Sequence, residues 1–182
     1  MARPHSDGVR KFHHAYPRIH VRLLDETASE ILLAVARSEA DFGVSYLGTQ
    51  EPDLEFEPLL QERFVLACRP EHPLAQRRQV TWTELAEYEC VALAPGSGNR
   101  MLIDQGLSAV AVRPAWTCEV RHVPALASLI EAGIGVGAVP AHAVPGGLVS
   151  VPLVEPEIAR TMRRFEGLNS AAGAAAAHTP QT

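Results

Sequence analysis

Three consecutive segments near the amino terminus alternate between strand-like and helix-like patterns. RIHVRLL (residues 18–24) alternates polar and apolar residues, as a half-buried strand does. TASEILLAVARSE begins with Thr27 and Glu30 at the spacing of a helix capping box, and ADFGVSYL follows as a short apolar strand. A strand, a helix and a strand in succession predict two parallel strands joined by a right-handed crossover.

The same alternation continues along the chain. FEPLLQERFVLAC reads as two strands, and ECVALA, AWTCEVRHV, IGVGAVP and LVSVPLV read as one strand each. Helices are predicted for TWTELAEY, NRMLIDQGL and PALASLIEAG, the last with Pro124 in its first turn and Gly133 just past its end. Alternating strands and helices predict an α/β fold. The Ala-rich end has no apolar stripe, so residues 166–182 are predicted to be a disordered tail.

Composition and charge narrow the class of protein. A chain of 182 residues, 47% of them hydrophobic and 20% charged, suits a soluble protein of one domain or two small lobes. It has no apolar run long enough to span a bilayer and no secretory signal pattern, so we expect a cytoplasmic location and no membrane partner. The net charge of −5 argues against nucleic-acid binding by the whole chain. Its basic first 22 residues could contact phosphates, but we interpret them as a solvated end.

Neither metal chemistry nor a disulfide framework is expected. Cys68, Cys90 and Cys118 are odd in number and far apart, with no C-x-x-C pair. The histidines do not lie at zinc-ligand spacing around them. We therefore interpret the cysteines as small core residues and expect no cofactor.

Two glycine-containing stretches look like nucleotide-binding loops but have the wrong spacing. APGSGNR (residues 94–100) lacks the lysine and second hydroxyl of a phosphate-binding loop, and GIGVGA (133–138) is not G-x-G-x-x-G. For the first stretch two interpretations stay open, a plain strand-to-helix turn or a cradle that holds a small anion. For the second, Gly133 is predicted to cap a helix, and Gly135 and Gly137 to allow close packing.

No catalytic constellation is recognisable. The segment around Ser97 is not a nucleophile elbow, G-x-S-x-G, and no acid–base pair can be named. His122 precedes a predicted helix and is interpreted as structural. The sequence therefore does not indicate an enzyme.

Three motif blocks, in this order, resemble the effector-binding domain of LysR-type transcriptional regulators. They are YPRIHVRLLDETASEILLAVARSEADFGVSY, PLLQERFVLACRPEHPLA and LIEAGIGVGAVPAHAV. The resemblance runs from about Phe12 to about Val154. It implies two Rossmann-like lobes of the periplasmic-binding-protein type II kind, joined by crossing strands, with a small molecule in the cleft between them.

On this resemblance the first lobe would comprise residues 1–66 and 148–165, and the second lobe residues 67–147. Nothing before Phe12 resembles the family's opening strand, so the first lobe is expected to be incomplete. The winged helix-turn-helix is not recognisable either, and we expect no direct DNA binding by this chain.

The resemblance also implies the residues of an effector site, with contributions from both lobes. They are Thr27, Ser45 and Tyr46 in the first lobe, and Pro95, Gly96, Ser97, Gly98 and Val123 in the second. Thr27 is equally well explained as a helix cap, and Tyr46 as a partly exposed strand end.

The hypothesis is therefore a regulatory domain that binds a small-molecule effector, anionic or polar, for example a carboxylate. The chain would self-associate or pair with an intact regulator. Three alternatives remain: a fragment that acts only as a dimerisation or interaction module, a solute-binding protein of the periplasmic type, and an enzyme on the same two-lobe architecture.

Overall fold

The computed structural model describes residues 4–46, 51–111 and 113–168. Its helices are α1 (Pro4–Ala15), α2 (Ala28–Ala36), α3 (Gly98–Gly106) and α4 (Val123–Glu131), with short 3-10 helices at Pro73–Gln76, Glu84–Glu87 and Ala141–Ala143. Its strands are β1 (Phe42–Ser45), β2 (Leu54–Cys68), β3 (Val80–Thr81), β4 (Cys90–Leu93), β5 (Trp116–Val120), β6 (Gly137–Pro140), β7 (Val149–Val154) and β8 (Ala159–Gly167). In this part of the chain, no helix has the length and apolar character needed to cross a bilayer.

Strand β2 connects the two halves of the molecule. Its residues 54–63 pair antiparallel with β8, which in turn pairs with β1. Its last residues, 64–68, pair with β6 and β7. We call α2, β1, β8 and the first part of β2 the first lobe, and the elements around the last part of β2 the second lobe.

The prediction of two strands in FEPLLQERFVLAC is wrong, because β2 continues without a break through this segment. Pro58 lies where the register between β2 and β8 shifts. A proline removes one ladder hydrogen bond, and an irregularity of this kind is where a strand tolerates it.

Helix α2 covers one face of the first lobe. The predicted capping box is confirmed, since the Thr27 hydroxyl accepts the Glu30 backbone N–H and the Glu30 carboxylate accepts the Thr27 backbone N–H. Leu32 and Val35 of this helix pack with Leu54 and Phe165 of the two long strands. The first lobe thus has a small core on the α2 side of its sheet.

The second lobe holds most of the buried apolar residues. Trp82 is fully buried, and its indole N–H donates to the carbonyl oxygen of Pro156 at 2.9 Å. Strands β3 and β7 are parallel, as are β4 and β5. Cys68 and Cys90 are buried as predicted, Cys118 is half-buried, and all three are free thiols.

The predicted strand at residues 18–24 is wrong. This segment is irregular, and every residue in it except Leu24 is exposed. Strand β1, its expected parallel partner after the crossover, instead pairs antiparallel with β8. An alternating pattern makes a strand only when a neighbouring strand accepts its backbone hydrogen bonds, and the described part of the chain supplies none.

The strand pairing also differs from the predicted lobe boundaries. Strand β7, expected in the first lobe, pairs with residues 65–68 of β2 and with β3, both in the second lobe. Residues 166 and 167, expected in the tail, belong to β8, where Glu166 pairs with Phe42 and Glu55. The remainder of the predicted tail, residues 169–182, lies outside the described residues.

The glycines before and within β6 allow close packing, as the sequence predicts. Gly133 has φ +80° just after α4, which explains a glycine there. A Cβ on Gly135 would overlap the backbone carbonyl of Glu89, and one on Gly137 would lie 2.8 Å from the carbonyl oxygen of Val91. Backbone atoms cannot rotate away, so both positions exclude a side chain.

We predict that Gly135→Ala lowers the free energy of unfolding by about 1–3 kcal/mol, the usual cost of overpacking. Urea unfolding monitored by circular dichroism would measure it. Gly167→Ala is the matched control, because a Cβ there meets nothing within 4 Å. Equal stability of the two variants would contradict the close approach at Gly135.

Candidate functional site

Side chains from both lobes meet where β2 and β8 pass from one lobe to the other. They form one connected group, which we call the interlobe cluster: Tyr46, Glu62, Asn99, His142 and Arg160. Glu62 and Arg160 are directly opposite each other in the β2–β8 register. The cluster is therefore built on the pair of strands that joins the lobes.

Arg160 and Glu62 form a buried ion pair. The Nε and Nη2 atoms of Arg160 both donate to Oε2 of Glu62, at 2.8 and 2.6 Å. The other carboxylate oxygen accepts the backbone N–H of His142 at 3.0 Å, and Nδ1 of His142 lies 3.1 Å from it. The side chain of Glu62 is only 3% exposed, so these contacts replace most of its water.

The pKa of Glu62 results from opposing effects. Burial favours the neutral acid and by itself would raise this pKa. The hydrogen bonds from His142 and Arg160, together with the positive charge of Arg160, more than offset it and hold the pKa below its usual value. Glu62 is therefore a carboxylate, and Arg160 is its counter-ion.

Arg160 also holds the second lobe. Its Nη1 donates to Oδ1 of Asn99 at 2.8 Å, and its guanidinium lies over the ring of Tyr46 at 4.7 Å. An arginine has five N–H donors, and hydrogen bonds to the described residues use three of those on Arg160. Two donors on a side chain that is 12% exposed have no protein acceptor in the described part of the chain.

Tyr46 links the end of β1 to the start of α3. Its phenol oxygen accepts the backbone N–H of Asn99. A Cβ on Gly98 would lie 2.8 Å from that oxygen and 2.9 Å from the ring, so only a glycine leaves room for Tyr46. Burial raises the pKa of Tyr46, although the charge of Arg160 and the hydrogen bond from Asn99 oppose this. The phenol is therefore a neutral contact between the lobes.

The predicted anion loop precedes this contact. Gly96 has φ +91°, a conformation that favours glycine, and Ser97 is the N-cap of α3. The Ser97 hydroxyl makes no capping hydrogen bond to its own helix, unlike that of Thr27. Arg100 is already paired, with Asp104 and Glu119. The loop thus offers a hydroxyl and the amino end of a helix.

The structure brings only part of the predicted site together. Tyr46 contacts Gly98, while Ser45 lies buried just before Tyr46 at the end of β1. Pro95, Gly96 and Ser97 lead into α3 beside them. Thr27 is occupied by the capping box at α2, and Val123 packs on the second-lobe core at the start of α4. These last two residues have structural roles in the described chain.

Glu62, Arg160 and His142 were missed by sequence reasoning. Glu62 is one of four charged residues on β2, with Glu55, Glu57 and Arg63, and Arg160 is one of three arginines on β8. A charged residue is rarely buried unless it is paired, but the sequence does not show that Glu62 is the buried one. Which arginine pairs with it depends on register, which the sequence does not reveal.

The described residues offer no metal site, and one of their pockets lies apart from the interlobe cluster. They contain no group of three or more histidine, cysteine, aspartate or glutamate residues suited to a metal ion. An open pocket of about 500 Å³ lined by Arg69, His72, Tyr88 and Ile134, among others, shares no residue with the interlobe cluster.

Comparison with known sequences identifies close relatives. The model of the LysR substrate binding domain matches residues 7–163. The transcriptional regulator YbhD of Escherichia coli K12 is 39% identical over 159 residues, covering 85% of this chain and 50% of that protein. YfeR of Shigella flexneri is 30% identical over 173 residues, covering 91% and 56% respectively. The chain spans about half the length of these regulators.

Solved structures share the fold. The effector binding domain of QuiR, in complex with shikimate, superposes with a TM-score of 0.76 at 21% identity, covering 92% of this chain and 82% of that one. The regulatory domain of Synechocystis PCC6803 CcmR, in complex with 2-PG, gives a TM-score of 0.77 at 22% identity, with coverage of 90% and 81%. The predicted periplasmic-binding-protein type II-like α/β fold is confirmed.

We predict that Arg160→Gln lowers the free energy of unfolding at neutral pH by about 3–5 kcal/mol, because it leaves a buried carboxylate without its cation. The pH dependence of the stability that Glu62 contributes should also invert. In the wild type, the lowered pKa of Glu62 contributes stability above the unfolded pKa of 4.5, and this is lost as the pH falls through the folded pKa. In the variant, burial raises the pKa of Glu62, so its contribution to stability falls as pH rises.

Urea unfolding of the wild type and of the variant at several pH values would test this. The matched control is the double variant Glu62→Gln/Arg160→Gln, which removes both charges and should lose less stability than the single variant. A single variant with the wild-type pH dependence would show that the ion pair does not hold the lobes.

Proposed function

Because the chain belongs to the family of LysR substrate binding domains, we propose that its interlobe cluster and the Pro95–Ser97 loop form a receptor site for a small carboxylate effector. The relatives are transcriptional regulators, and we assign the chain a regulatory role without a catalytic step. A regulator acts where the DNA is, which supports a cytoplasmic location. Regulation of a gene by the whole protein is part of this proposal.

The observation that carries the proposal is the state of Arg160. Its side chain is 12% exposed at the junction of both lobes, and two of its N–H donors have no acceptor among the described residues. A charge-assisted hydrogen bond to a carboxylate is about twice as strong as a neutral one. Because Glu62 already balances the charge, the site favours an effector with one negative group over a polyanion.

The amino end of α3 also favours an anionic ligand. Helix amino ends carry unpaired N–H groups and a partial positive charge, which attract anions. The Ser97 hydroxyl is not used by its helix, and Asn99, two residues on, is bonded to Arg160. The Ser97 N–H donates to the carbonyl oxygen of Ala94, and Pro95 has no N–H. We therefore propose that the Ser97 hydroxyl and the backbone N–H groups of Gly96 and Gly98 bind the carboxylate together with Arg160.

An effector at this position would act on the relation between the lobes. Without a ligand, Tyr46 and Arg160 both bond to Asn99 and so connect the first lobe and the crossing strands to α3. A ligand that bonds to the same groups favours whichever lobe arrangement suits it and shifts that population. Tyr46 and Ser45 form the first-lobe wall of this site, whereas Thr27 and Val123 stay predictions from the family resemblance alone.

We predict that a small monocarboxylate or an aromatic acid raises the melting temperature of the purified chain. At about 100 times its dissociation constant, a ligand stabilises the fold by about 2.7 kcal/mol, or roughly 5–10 °C for a chain of this size. Differential scanning fluorimetry with matched acids and amides would measure it. Equal shifts from an acid and its amide would contradict the carboxylate assignment.

A second prediction tests the contribution of the Ser97 hydroxyl to binding. Ser97→Ala should weaken binding of the acid found in that screen by about 10-fold or more, since a hydrogen bond to a charged group contributes about 1.5–3 kcal/mol. Titration calorimetry would measure the dissociation constants. Ser150→Ala, on an exposed position of β7, is the control. Unchanged affinity in Ser97→Ala would remove Ser97 from the site.

A further inference from the structure

The second lobe has a concave site of its own, apart from the interlobe cluster. Three chain segments meet there: the turn after β2 (residues 69–73), the residues before β4 (87–89) and the residues after α4 (133–135). They enclose an open pocket of about 500 Å³, within the range of about 300–1,000 Å³ that is typical of small-molecule sites. We call this cavity the second-lobe pocket.

Contacts within the second lobe fix the shape of this pocket. The backbone N–H of Val136 donates to the carbonyl oxygen of Glu89 at 3.0 Å, and Gly135 approaches the same carbonyl too closely to carry a Cβ. Gly133 has φ +80°, and a Cβ on it would lie 2.9 Å from Nη1 of Arg69. The two glycines therefore let the three segments come together, and the first lobe takes no part in holding them.

Two aromatic rings and one aliphatic side chain give the second-lobe pocket an apolar wall. The rings of His72 and Tyr88 have their centroids 5.2 Å apart and are tilted by 59°. Nδ1 of His72 accepts the backbone N–H of Leu74 at 3.2 Å, so the ring hydrogen is on Nε2. Burial lowers the pKa of His72, and its ring is therefore uncharged at neutral pH. Ile134, which is 49% exposed, adds the aliphatic surface.

The residues that line the second-lobe pocket have a net negative charge. One arginine and three glutamates give −2 with His72 neutral: Arg69, Glu71, Glu87 and Glu89. Nε of Arg69 lies 3.3 Å from Oε2 of Glu71, so the positive charge is already paired. Neither Glu87 nor Glu89 has an ion-pair partner in the part of the chain that the structure describes. The pocket therefore has negative charge available for a ligand.

From this combination of cavity, aromatic wall and unpaired carboxylates, we infer that the second-lobe pocket binds a small organic cation with an apolar body, such as an arylalkylamine. Its ammonium group would pair with Glu87 and Glu89 and lie over the ring of Tyr88, whose face attracts a cation. Its apolar body would cover His72 and Ile134. A bare metal ion does not suit the described residues, which contain no group of three or more metal-binding side chains.

This preference is the reverse of the one proposed for the interlobe cluster. There an arginine with spare donors favours a carboxylate, whereas here the arginine is paired and the glutamates are not. The two sites would thus select ligands of opposite charge, and a cationic probe can test the second-lobe pocket without relying on the effector site.

Titration calorimetry of the full 182-residue chain with phenethylamine tests the inference. A primary alkylamine is protonated at neutral pH, as a lysine side chain is. We expect it to bind about 10-fold more tightly than phenethyl alcohol, which has the same body without the charge. The affinity for the amine should fall as salt screens the charges. Equal affinities for the amine and the alcohol would overturn the inference.

A pair of substitutions locates the cation. Glu87→Gln/Glu89→Gln should weaken binding of phenethylamine about 5-fold, because it removes both unpaired charges. Glu55→Gln/Glu57→Gln is the matched control, since these two glutamates are also exposed, have the same spacing and lie on β2 in the first lobe. Equal effects of the two double variants, with both folded by circular dichroism, would overturn the assignment to the second-lobe pocket.

Two further measurements test the apolar wall and the class of ligand. Ile134→Ser should weaken binding of the amine and the alcohol alike, by about 3-fold, because both lose the same apolar contact. Unchanged affinities in this variant would overturn the apolar part of the inference. Binding of a lysine-rich peptide without binding of the amine would assign the surface to a protein partner and overturn a small-molecule site.

Discussion

Both lobes are built on the antiparallel pair of strands β2 and β8, and this pair of strands contains a buried ion pair. At one end of this pair α2 and β1 complete the first lobe, and past the other end the sheet and helices of the second lobe assemble on the last residues of β2. Removing two charges from water costs more than their attraction returns unless every remaining donor and acceptor is satisfied. Glu62 meets this condition through His142, and Arg160 meets most of it through Asn99. The ion pair thereby ties together the segments that must stay aligned.

The same arrangement explains why a binding site belongs at this place. Arg160 is held rigidly by Glu62 and Tyr46, so a ligand would not have to order it. Asn99 and Ser97 come from the start of α3, whose dipole has the sign that suits an anion.

Local sequence signals predicted most elements well. The Thr27–Glu30 capping box starts α2, Pro124 lies in the first turn of α4, and Gly133 follows its end, because caps and special backbone angles act within a few residues. Prediction from local sequence fails for some strands, because a strand forms only beside a neighbouring strand. Residues 18–24 have a strand pattern but no neighbouring strand, and β7 joins the second lobe because β2 and β3 lie on either side of it. Pairing depends on residues far away in the chain, and no local pattern encodes it.

The sequence by itself determined the α/β class, which follows from periodicity, and the turn at Pro95–Gly98, which follows from local composition. Its three motif blocks carried the resemblance to the family. Only the tertiary structure decided that Glu62 lies opposite Arg160 and that Gly98 makes room for Tyr46. The physical reason is register. Glu62 and Arg160 are 98 residues apart, and a shift of one residue along β8 would place a different side chain beside the carboxylate.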